Sequence, residues 1–271
     1  MSSTAAYVHG HQESVLQLHS WRTAANSAAY LLPSLKPHMH ILDIGCGPGT
    51  ITIDLATLVP QGQVVGLELT LEPLERARAI ATQRGINNVR FVTGDAHALP
   101  FQDASFDVVH AHQVLQHVRD PAAALREMRR VARPGGLVAA RDADVGSMVW
   151  YPESEAISAW RTLHFEVSRA DGGHPEGGRR LLAWALEAGF GRADVAASAG
   201  TWCFSTPEER AYWGGLMADR MVGSGFAQAA IEGGHAGAEE LARIAHGFRE
   251  WSVQEDGWFG IIHSEIVCQV A

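Results

Sequence analysis

Residues 41–50, ILDIGCGPGT, constrain the fold of this chain more than any other stretch. A short apolar run carries one carboxylate, Asp43, and is followed by glycines in alternation and then by TITIDLATLV, whose apolar residues have helical spacing. A strand, a glycine turn and a helix form the first half of a β-α-β unit. One glycine allows a turn with positive φ, and the others let the backbone approach a ligand. The N–H groups that begin the helix suit anionic or polar ligand atoms.

The spacing of the acidic residue and the glycines separates two kinds of ligand. Asp43, Gly45, Gly47 and Gly49 follow the pattern D-x-G-x-G-x-G. The dinucleotide pattern G-x-G-x-x-G would instead need a small residue at Thr50. A carboxylate just before the first glycine is unfavourable for a pyrophosphate, whereas it suits a ligand that carries an ammonium group and no phosphate.

A second acidic residue stands at the sequence distance from the glycine turn that is expected of a residue that binds ribose. Residues 63–67, QVVGL, are predicted to form the second strand, and Glu68 ends it 19 residues after Gly49. In nucleotide-binding folds an acidic residue roughly 20 residues beyond the glycine turn accepts hydrogen bonds from ribose hydroxyls. The alternative is a capping or solvated glutamate.

These motifs resemble those of class I S-adenosylmethionine-dependent methyltransferases, in particular the small-molecule branch typified by ubiquinone and menaquinone biosynthesis. Residues 94–101, GDAHALPF, are similar to the family segment that follows the third strand (predicted over 88–92). The resemblance implies that Asp95 accepts from the adenine amino group, that the Ala96 N–H meets a ring nitrogen, and that Leu69 lies against adenine. The alternative for Asp95 is an aspartate that only caps its own turn.

Residues 105–117 and the turn RPGG at 133–136 extend the resemblance to about residue 142. Because ligands lie at the carboxyl ends of parallel strands, His112 and Gln113 are expected near the sulfonium of the cofactor. His112, His117, His164 and Asp142 are the candidates for a general base. For His117, a packing role is the alternative.

The fold class that follows is α/β: a Rossmann-like, seven-stranded, mostly parallel sheet with an antiparallel last strand and a helical cap. We predict one domain over 1–271. It comprises N-terminal helices over the cofactor (1–37), a cofactor-binding core (38–145) and cap insertions (146–188 and 205–257). Apolar residues at helical spacing predict a helix over 22–32 and another over 151–170. Tyr7, His11 and Arg22 are expected to reach the methionine end of the cofactor, with surface packing as the alternative.

The composition of the chain limits the classes of partner and the cellular location that we predict. The chain of 271 residues has a net charge of −9 and no run rich in lysine or arginine, which argues against nucleic acid. Three widely spaced cysteines predict reduced thiols in the cytoplasm. No apolar run reaches the length of a membrane span, and we predict no metal site. Homodimer formation is left open.

The predicted activity is methyl transfer from S-adenosyl-L-methionine to an O, N or C atom of a small, largely apolar molecule. Five of the eight tryptophans lie in or beside the insertions, which favours a cap with an apolar inner face; the alternative is that these helices only enlarge the core or form a dimer interface. Two other functions stay open. One is a protein of this fold that binds the cofactor and catalyses another reaction, such as a cyclisation. The other is a non-catalytic partner subunit.

Overall fold

The computed structural model describes residues 21–271. Its strands are β1 (His40–Ile44), β2 (Gln63–Glu68), β3 (Val89–Thr93), β4 (Phe106–His112), β5 (Ala132–Ala143), β6 (Val149–Tyr151), β7 (Val195–Phe204) and β8 (Trp258–Gln269). Its helices are α1 (Ala24–Ser27), α2 (Thr50–Leu58), α3 (Glu72–Gln83), α4 (Pro121–Val131), α5 (Glu155–Ala170), α6 (Gly177–Glu187), α7 (Pro207–Arg220), α8 (Gly225–Glu232) and α9 (Ala238–Ser252). Short 3₁₀ turns lie at Leu32–Ser34, Leu115–His117, Val145–Ser147 and Arg192–Asp194.

The strands form one sheet in the order β3-β2-β1-β4-β5-β8-β6, with β7 paired to β8 outside this path. Strands β1 to β5 run parallel, and β8 runs antiparallel to β5, β6 and β7. The predicted Rossmann-like sheet with an antiparallel last strand is therefore confirmed. The described residues hold eight strands instead of seven, because Val149–Tyr151 pairs with the start of β8. A strand of three residues is too short to show an alternating pattern in the sequence.

Side-chain caps begin several of the helices. At α4, Asp120 accepts from the Ala123 N–H at 2.8 Å, and Pro121 occupies the first helical position. At α7, Thr206 and Glu209 form a reciprocal capping box. These contacts satisfy N–H groups that have no partner within the helix.

The helix predicted over 22–32 is wrong in length: α1 spans only Ala24–Ser27. The carbonyl of Asn26, which would accept from the Tyr30 N–H in a longer helix, instead accepts from the indole nitrogen of Trp202 at 3.0 Å. A contact with β7 thus ends the helix, and helical spacing alone does not foresee it. The helix predicted over 151–170 likewise begins later, at Glu155, where Ser154 caps it through the Ile157 N–H.

Helices α5, α7, α8 and α9 build one apolar cluster with the ends of β7 and β8. Trp160, Trp213 and Trp251 lie inside that cluster and are 2–4% exposed. Gly247 of α9 lets the helix approach α5, because a Cβ there would lie 2.2 Å from the Cβ of Ala156. Most of the tryptophans that favoured an apolar inner face therefore fill the interior of the helical layer itself.

Candidate functional site

The glycine turn joins β1 to α2 at the carboxyl edge of the sheet. Gly45, Gly47 and Gly49 all have left-handed backbone, with φ of 64°, 52° and 78°. A Cβ at Gly45 would lie 2.4 Å from Cγ2 of Val114, and one at Gly49 would lie 2.8 Å from the Cβ of Ala77. Gly45 and Gly49 are thus required by the turn conformation and by packing within the protein, whether or not a ligand also approaches them.

Glu68, at the end of β2, faces this turn. Its Oε2 accepts from the Gly47 N–H at 3.0 Å, and its Oε1 accepts from the Leu69 N–H at 2.7 Å. Each carboxylate oxygen keeps a further lone pair for a hydroxyl donor. Glu68, predicted to hold the ribose, and Gly47, predicted to let the backbone approach the ligand, are therefore in direct contact.

Asp43 lies below the turn and is only 2% exposed. Its Oδ1 is 2.7 Å from Nδ1 of His110 on β4, and its Oδ2 accepts from the hydroxyl of Thr52 on α2 at 2.6 Å. The carboxylate therefore fastens β1, β4 and α2 together. Its predicted contact with a ligand ammonium group would have to use the second lone pairs of oxygens that already have protein partners.

Asp95 follows β3 at the same edge of the sheet. Its Oδ1 accepts from the His97 N–H at 2.9 Å and lies 3.0 Å from Nδ1 of the His97 ring. The first contact is the Asx turn that was the alternative explanation of this residue. In the described part of the chain no hydrogen bond reaches Oδ2, and the Asp95 side chain is 35% exposed. Leu69, 43% exposed, offers an open apolar surface beside Glu68.

His112 ends β4 and is 5% exposed, and neither of its ring nitrogens has a hydrogen-bond partner among residues 21–271. Burial, followed by the charges of Arg22 and Arg141, lowers the pKa of His112 well below its usual value. The ring is therefore neutral near pH 7.

Gln113 connects three parts of the chain. Its backbone is left-handed, with φ of 53°, and its N–H donates to the carbonyl of Arg141 at 2.7 Å. Its side-chain Oε1 accepts from Nη2 of Arg22 at 3.0 Å, and its Nε2 lies 3.0 Å from Nε2 of His263. A residue other than glycine in this conformation is strained, and such strain concentrates at functional sites. The structure brings the predicted residues Arg22 and Gln113 together, while Tyr7 and His11 lie outside the described residues.

Four residues to which the sequence interpretation assigned no role complete this cluster. The Trp202 ring lies 4.3 Å from the His263 ring and 5.1 Å from the guanidinium carbon of Arg141, measured from ring centroids. The Arg141 Nε donates to Glu265 at 3.1 Å, and both side chains are buried. The sequence did contain a signal for these residues. A tryptophan, a histidine and two charged residues occur in the later strands at positions where the alternating pattern would otherwise have small or aliphatic residues.

Asp142 points to the other face of the sheet and is fully buried. Its Oδ1 accepts from the Gln116 N–H at 3.1 Å, while its Oδ2 has no partner in the described residues. Burial raises the pKa of Asp142 to about 7, and the backbone N–H groups of Gln116 and Leu115 oppose that rise. The carboxyl group therefore holds the 3₁₀ turn after β4.

His117 and His164 meet where the helical layer approaches the end of β4. Burial lowers the pKa of each to about 3; the charges of Arg22 and Arg220 contribute at His117. Nε2 of His117 lies 3.0 Å from Nε2 of Gln116, and the His164 ring stacks at 5.6 Å on Phe226. Imidazoles with such a low pKa are weak bases near neutral pH.

A parallel sheet with a glycine turn, an acidic residue ending β2 and an aspartate after β3 defines the class of S-adenosylmethionine-dependent methyltransferases. The chain belongs to the methyltransferase domain family, whose model matches residues 35–181. S-adenosyl-L-methionine is accordingly its cofactor.

Some similar proteins align with almost the whole of this chain, and others align with only part of it. An uncharacterised methyltransferase of Schizosaccharomyces pombe is 34% identical over 268 residues, which is 96% of this chain and 95% of the relative. The demethylmenaquinone methyltransferase of Roseiflexus castenholzii is 40% identical over 163 residues, or 58% of this chain and 62% of the relative.

Solved structures share the fold at lower identity. The (4+2)-cyclase SpnF has a TM-score of 0.52 at 22% identity, covering 93% of this chain and 80% of that chain. Phosphoethanolamine N-methyltransferase 2 of Haemonchus contortus has a TM-score of 0.55 at 18% identity, covering 88% of this chain and 50% of that chain. In the described part of this chain, no helix is both long and apolar enough to span a membrane.

Proposed function

We propose that this protein transfers the methyl group of S-adenosyl-L-methionine to an O, N or C atom of a small, largely apolar molecule. The observation that carries the proposal is the enclosure of the carboxyl end of β4: His112 there is 5% exposed. A buried reaction centre takes a small acceptor more readily than the surface of a macromolecule, and a net charge of −9 disfavours nucleic acid.

For the cofactor, the proposed contacts follow the edge of the sheet. Glu68 accepts from the ribose hydroxyls, and Gly47 brings the backbone close to the same part of the ligand. Asp95 Oδ2 accepts from the adenine amino group beside the Ala96 N–H, and Leu69 covers the ring. Donor and acceptor groups of the chain thus match those of the cofactor. Arg22 and Gln113 stand at the methionine end in this arrangement.

When bound, the cofactor supplies an electrophilic methyl carbon attached to a sulfonium. The residues of the chain hold the acceptor in line and exclude water, which is the main requirement of such a transfer. His112, His117 and Asp142 were the candidates for a base. Burial lowers the pKa of both His112 and His117, so basicity does not separate these two residues. His112 is favoured because it ends β4 and its ring nitrogens have no partner among the described residues, whereas two backbone N–H groups donate to Asp142.

The direct test incubates the protein with the cofactor and a panel of small acceptors. Formation of S-adenosylhomocysteine together with a methylated acceptor supports methyl transfer. An acceptor that is rearranged without formation of S-adenosylhomocysteine would support the alternative, a reaction such as a cyclisation, which the shared fold with a cyclase does not decide.

We further propose that the acceptor lies between the ends of β4 and β5 and the helical cap of 146–188 and 205–257. Burial, and then the charges of Arg22 before β1 and Arg220 in α7, lower the pKa of His117, which supports a site near this turn bounded by both segments. Hydrogen exchange on the cofactor-bound protein should show new protection in both cap ranges when a confirmed acceptor binds. Protection confined to the outer faces of α2, α3 and α4 would place the acceptor elsewhere.

A further inference from the structure

A cavity of about 340 Å³ lies at the edge of the sheet opposite the glycine turn. This is the edge where the parallel strands begin: His40 starts β1, Gln63 starts β2, and Arg90 belongs to β3. His40 and Ile44 are the two ends of β1, so a rise of about 3.3 Å per residue puts the two edges roughly 13 Å apart. The cavity is therefore separate from the edge that carries the glycine turn.

Residues 100–102 form one wall of the cavity, and hydrogen bonds hold that wall in place. Arg130 of α4 donates to the carbonyl of Leu99 at 3.0 Å and to the carbonyl of Phe101 at 2.9 Å. The same guanidinium donates to Asp103 at 2.7 Å, just beyond the wall. A wall that is fixed before a ligand arrives loses little conformational entropy when the ligand binds.

The interior of the cavity is apolar. Val65 and Phe106 are buried in its floor, and the rings of Phe101 and Phe106 meet edge to face with their centroids 5.1 Å apart. Aromatic rings attract a further ring in stacked or edge-to-face arrangements. The interior therefore favours a ligand with a flat, aromatic body.

Arg90 gives this cavity a positive charge that has no counter-ion in the described part of the chain. Its guanidinium carbon lies 5.8 Å from the centroid of the Phe101 ring, and no described residue forms a hydrogen bond or an ion pair with it. Asp103 and Asp107, which adjoin the lining residues in the sequence, are each paired with another arginine, at 2.7 and 2.6 Å. In a chain of net charge −9, this unpaired cation favours an anionic ligand.

We propose that this cavity is a second ligand site, which binds a small aromatic carboxylate. The Arg90 guanidinium holds the carboxylate, because its parallel N–H groups match the two carboxylate oxygens, and the Gln63 amide supplies a further donor. The ring of the ligand lies against Val65, Phe101 and Phe106. The volume is at the lower end of the range for small-molecule pockets, which suits one ring or two fused rings.

Both parts of the ligand are needed to match the cavity. An inorganic anion would pair with Arg90 but would leave the apolar walls in contact with water. A neutral ring would cover those walls but would leave the guanidinium without a counter-ion. The site goes beyond the proposed function, since its ligand is neither the cofactor nor the acceptor.

The test titrates the full chain with 2-naphthoate and with its neutral counterpart, 2-naphthamide, by calorimetry. Wild-type protein should bind one naphthoate, and it should bind the amide roughly tenfold to hundredfold more weakly, the range for a hydrogen bond to a charged group. Saturation with S-adenosylhomocysteine should leave one naphthoate bound, because the two sites lie at opposite edges of the sheet.

Arg90→Gln removes the charge and keeps an amide donor. It should weaken naphthoate binding roughly tenfold to hundredfold and leave naphthamide binding unchanged. Phe101→Leu removes an aromatic wall and should weaken the binding of both probes. Arg243→Gln, at an exposed position of α9, is the matched control and should bind both probes as wild type does. Circular dichroism checks that each variant folds.

Four results would overturn the second site. They are no binding of naphthoate to wild type, equal affinity for the two probes, a naphthoate affinity that Arg90→Gln leaves unchanged, and displacement of naphthoate by S-adenosylhomocysteine. Arg90 is exposed, so its replacement should leave the fold intact. Phe101→Leu tests the same cavity independently of Arg90, and unchanged affinities of that variant for both probes would also contradict the proposal.

Discussion

Replacing Asp142 by asparagine should remove a dependence of stability on pH that a buried carboxyl group imposes. The carboxyl of Asp142 is fully buried, and its pKa is about 7 in the folded protein. In the unfolded chain the pKa returns to about 3.9. Between these two values the folded state keeps a proton that the unfolded state has lost. The free energy of unfolding therefore falls as the pH rises through this window, and the loss is complete above about pH 7.

The magnitude follows from the width of the window. Each pH unit contributes about 1.4 kcal/mol, so the two units between about pH 5 and pH 7 amount to roughly 2–3 kcal/mol. Asparagine does not titrate, and its oxygen can still accept from the Gln116 N–H. The free energy of unfolding of wild type, relative to that of Asp142→Asn, should thus fall by this amount from about pH 5 to about pH 8.

Urea denaturation of both proteins at the two pH values measures this difference, since all other titrating groups are shared. Asp256→Asn, at an exposed position before β8, controls for the loss of one carboxylate. If the difference between wild type and Asp142→Asn is the same at both pH values, the carboxyl of Asp142 is ionised in the folded protein and the reasoning from burial is wrong.

Three further predictions concern the cofactor site and the cap. Gly47→Val should abolish binding of S-adenosylhomocysteine, because a branched side chain at φ of 52° strains the turn and fills its ligand side; unchanged affinity of the folded variant by calorimetry would contradict this. Glu68→Ala should cost roughly 1.5–3 kcal/mol of binding, and much less for a 2′,3′-dideoxy analogue; equal losses would mean that Glu68 does not hold the ribose. Gly247→Ala should destabilise the fold by about 1–3 kcal/mol because its Cβ would meet Ala156, whereas Gly215→Ala, in open space on α7, should stabilise by about 0.5–1 kcal/mol; thermal unfolding tests the pair.

The position of the residues that we propose for the cofactor, at one edge of the sheet, could be predicted from the sequence because its determinants are local. The glycine turn, Glu68 at the end of β2 and Asp95 after β3 each stand at a strand end that an apolar run already marks. Parallel strands bring these ends to one edge of the sheet whatever the loops between them do. The spacing of these residues along the chain was therefore enough to predict that they lie close together in the folded protein.

The spacing of residues in the sequence did not predict which protein atoms the glycines pack against, nor the residue at which α1 ends. Gly45 and Gly49 meet Val114 and Ala77, and these contacts exist only once helices and turns have packed. The Trp202 indole takes the carbonyl that would have extended α1. Helical periodicity reports which residues turn toward a core, but it does not report a distant donor that competes for a backbone acceptor.

The sequence by itself determined the fold class, the methyltransferase family and the edge of the sheet at which Gly47, Glu68 and Asp95 lie together. Only the tertiary structure assembled Arg22, Gln113 and His263, because the last of these is 150 residues from Gln113 and reaches it through the antiparallel return of β8. The physical reason is that alternation along a strand tells which residues share a face, whereas the partner strand and its register are set by packing of the whole sheet.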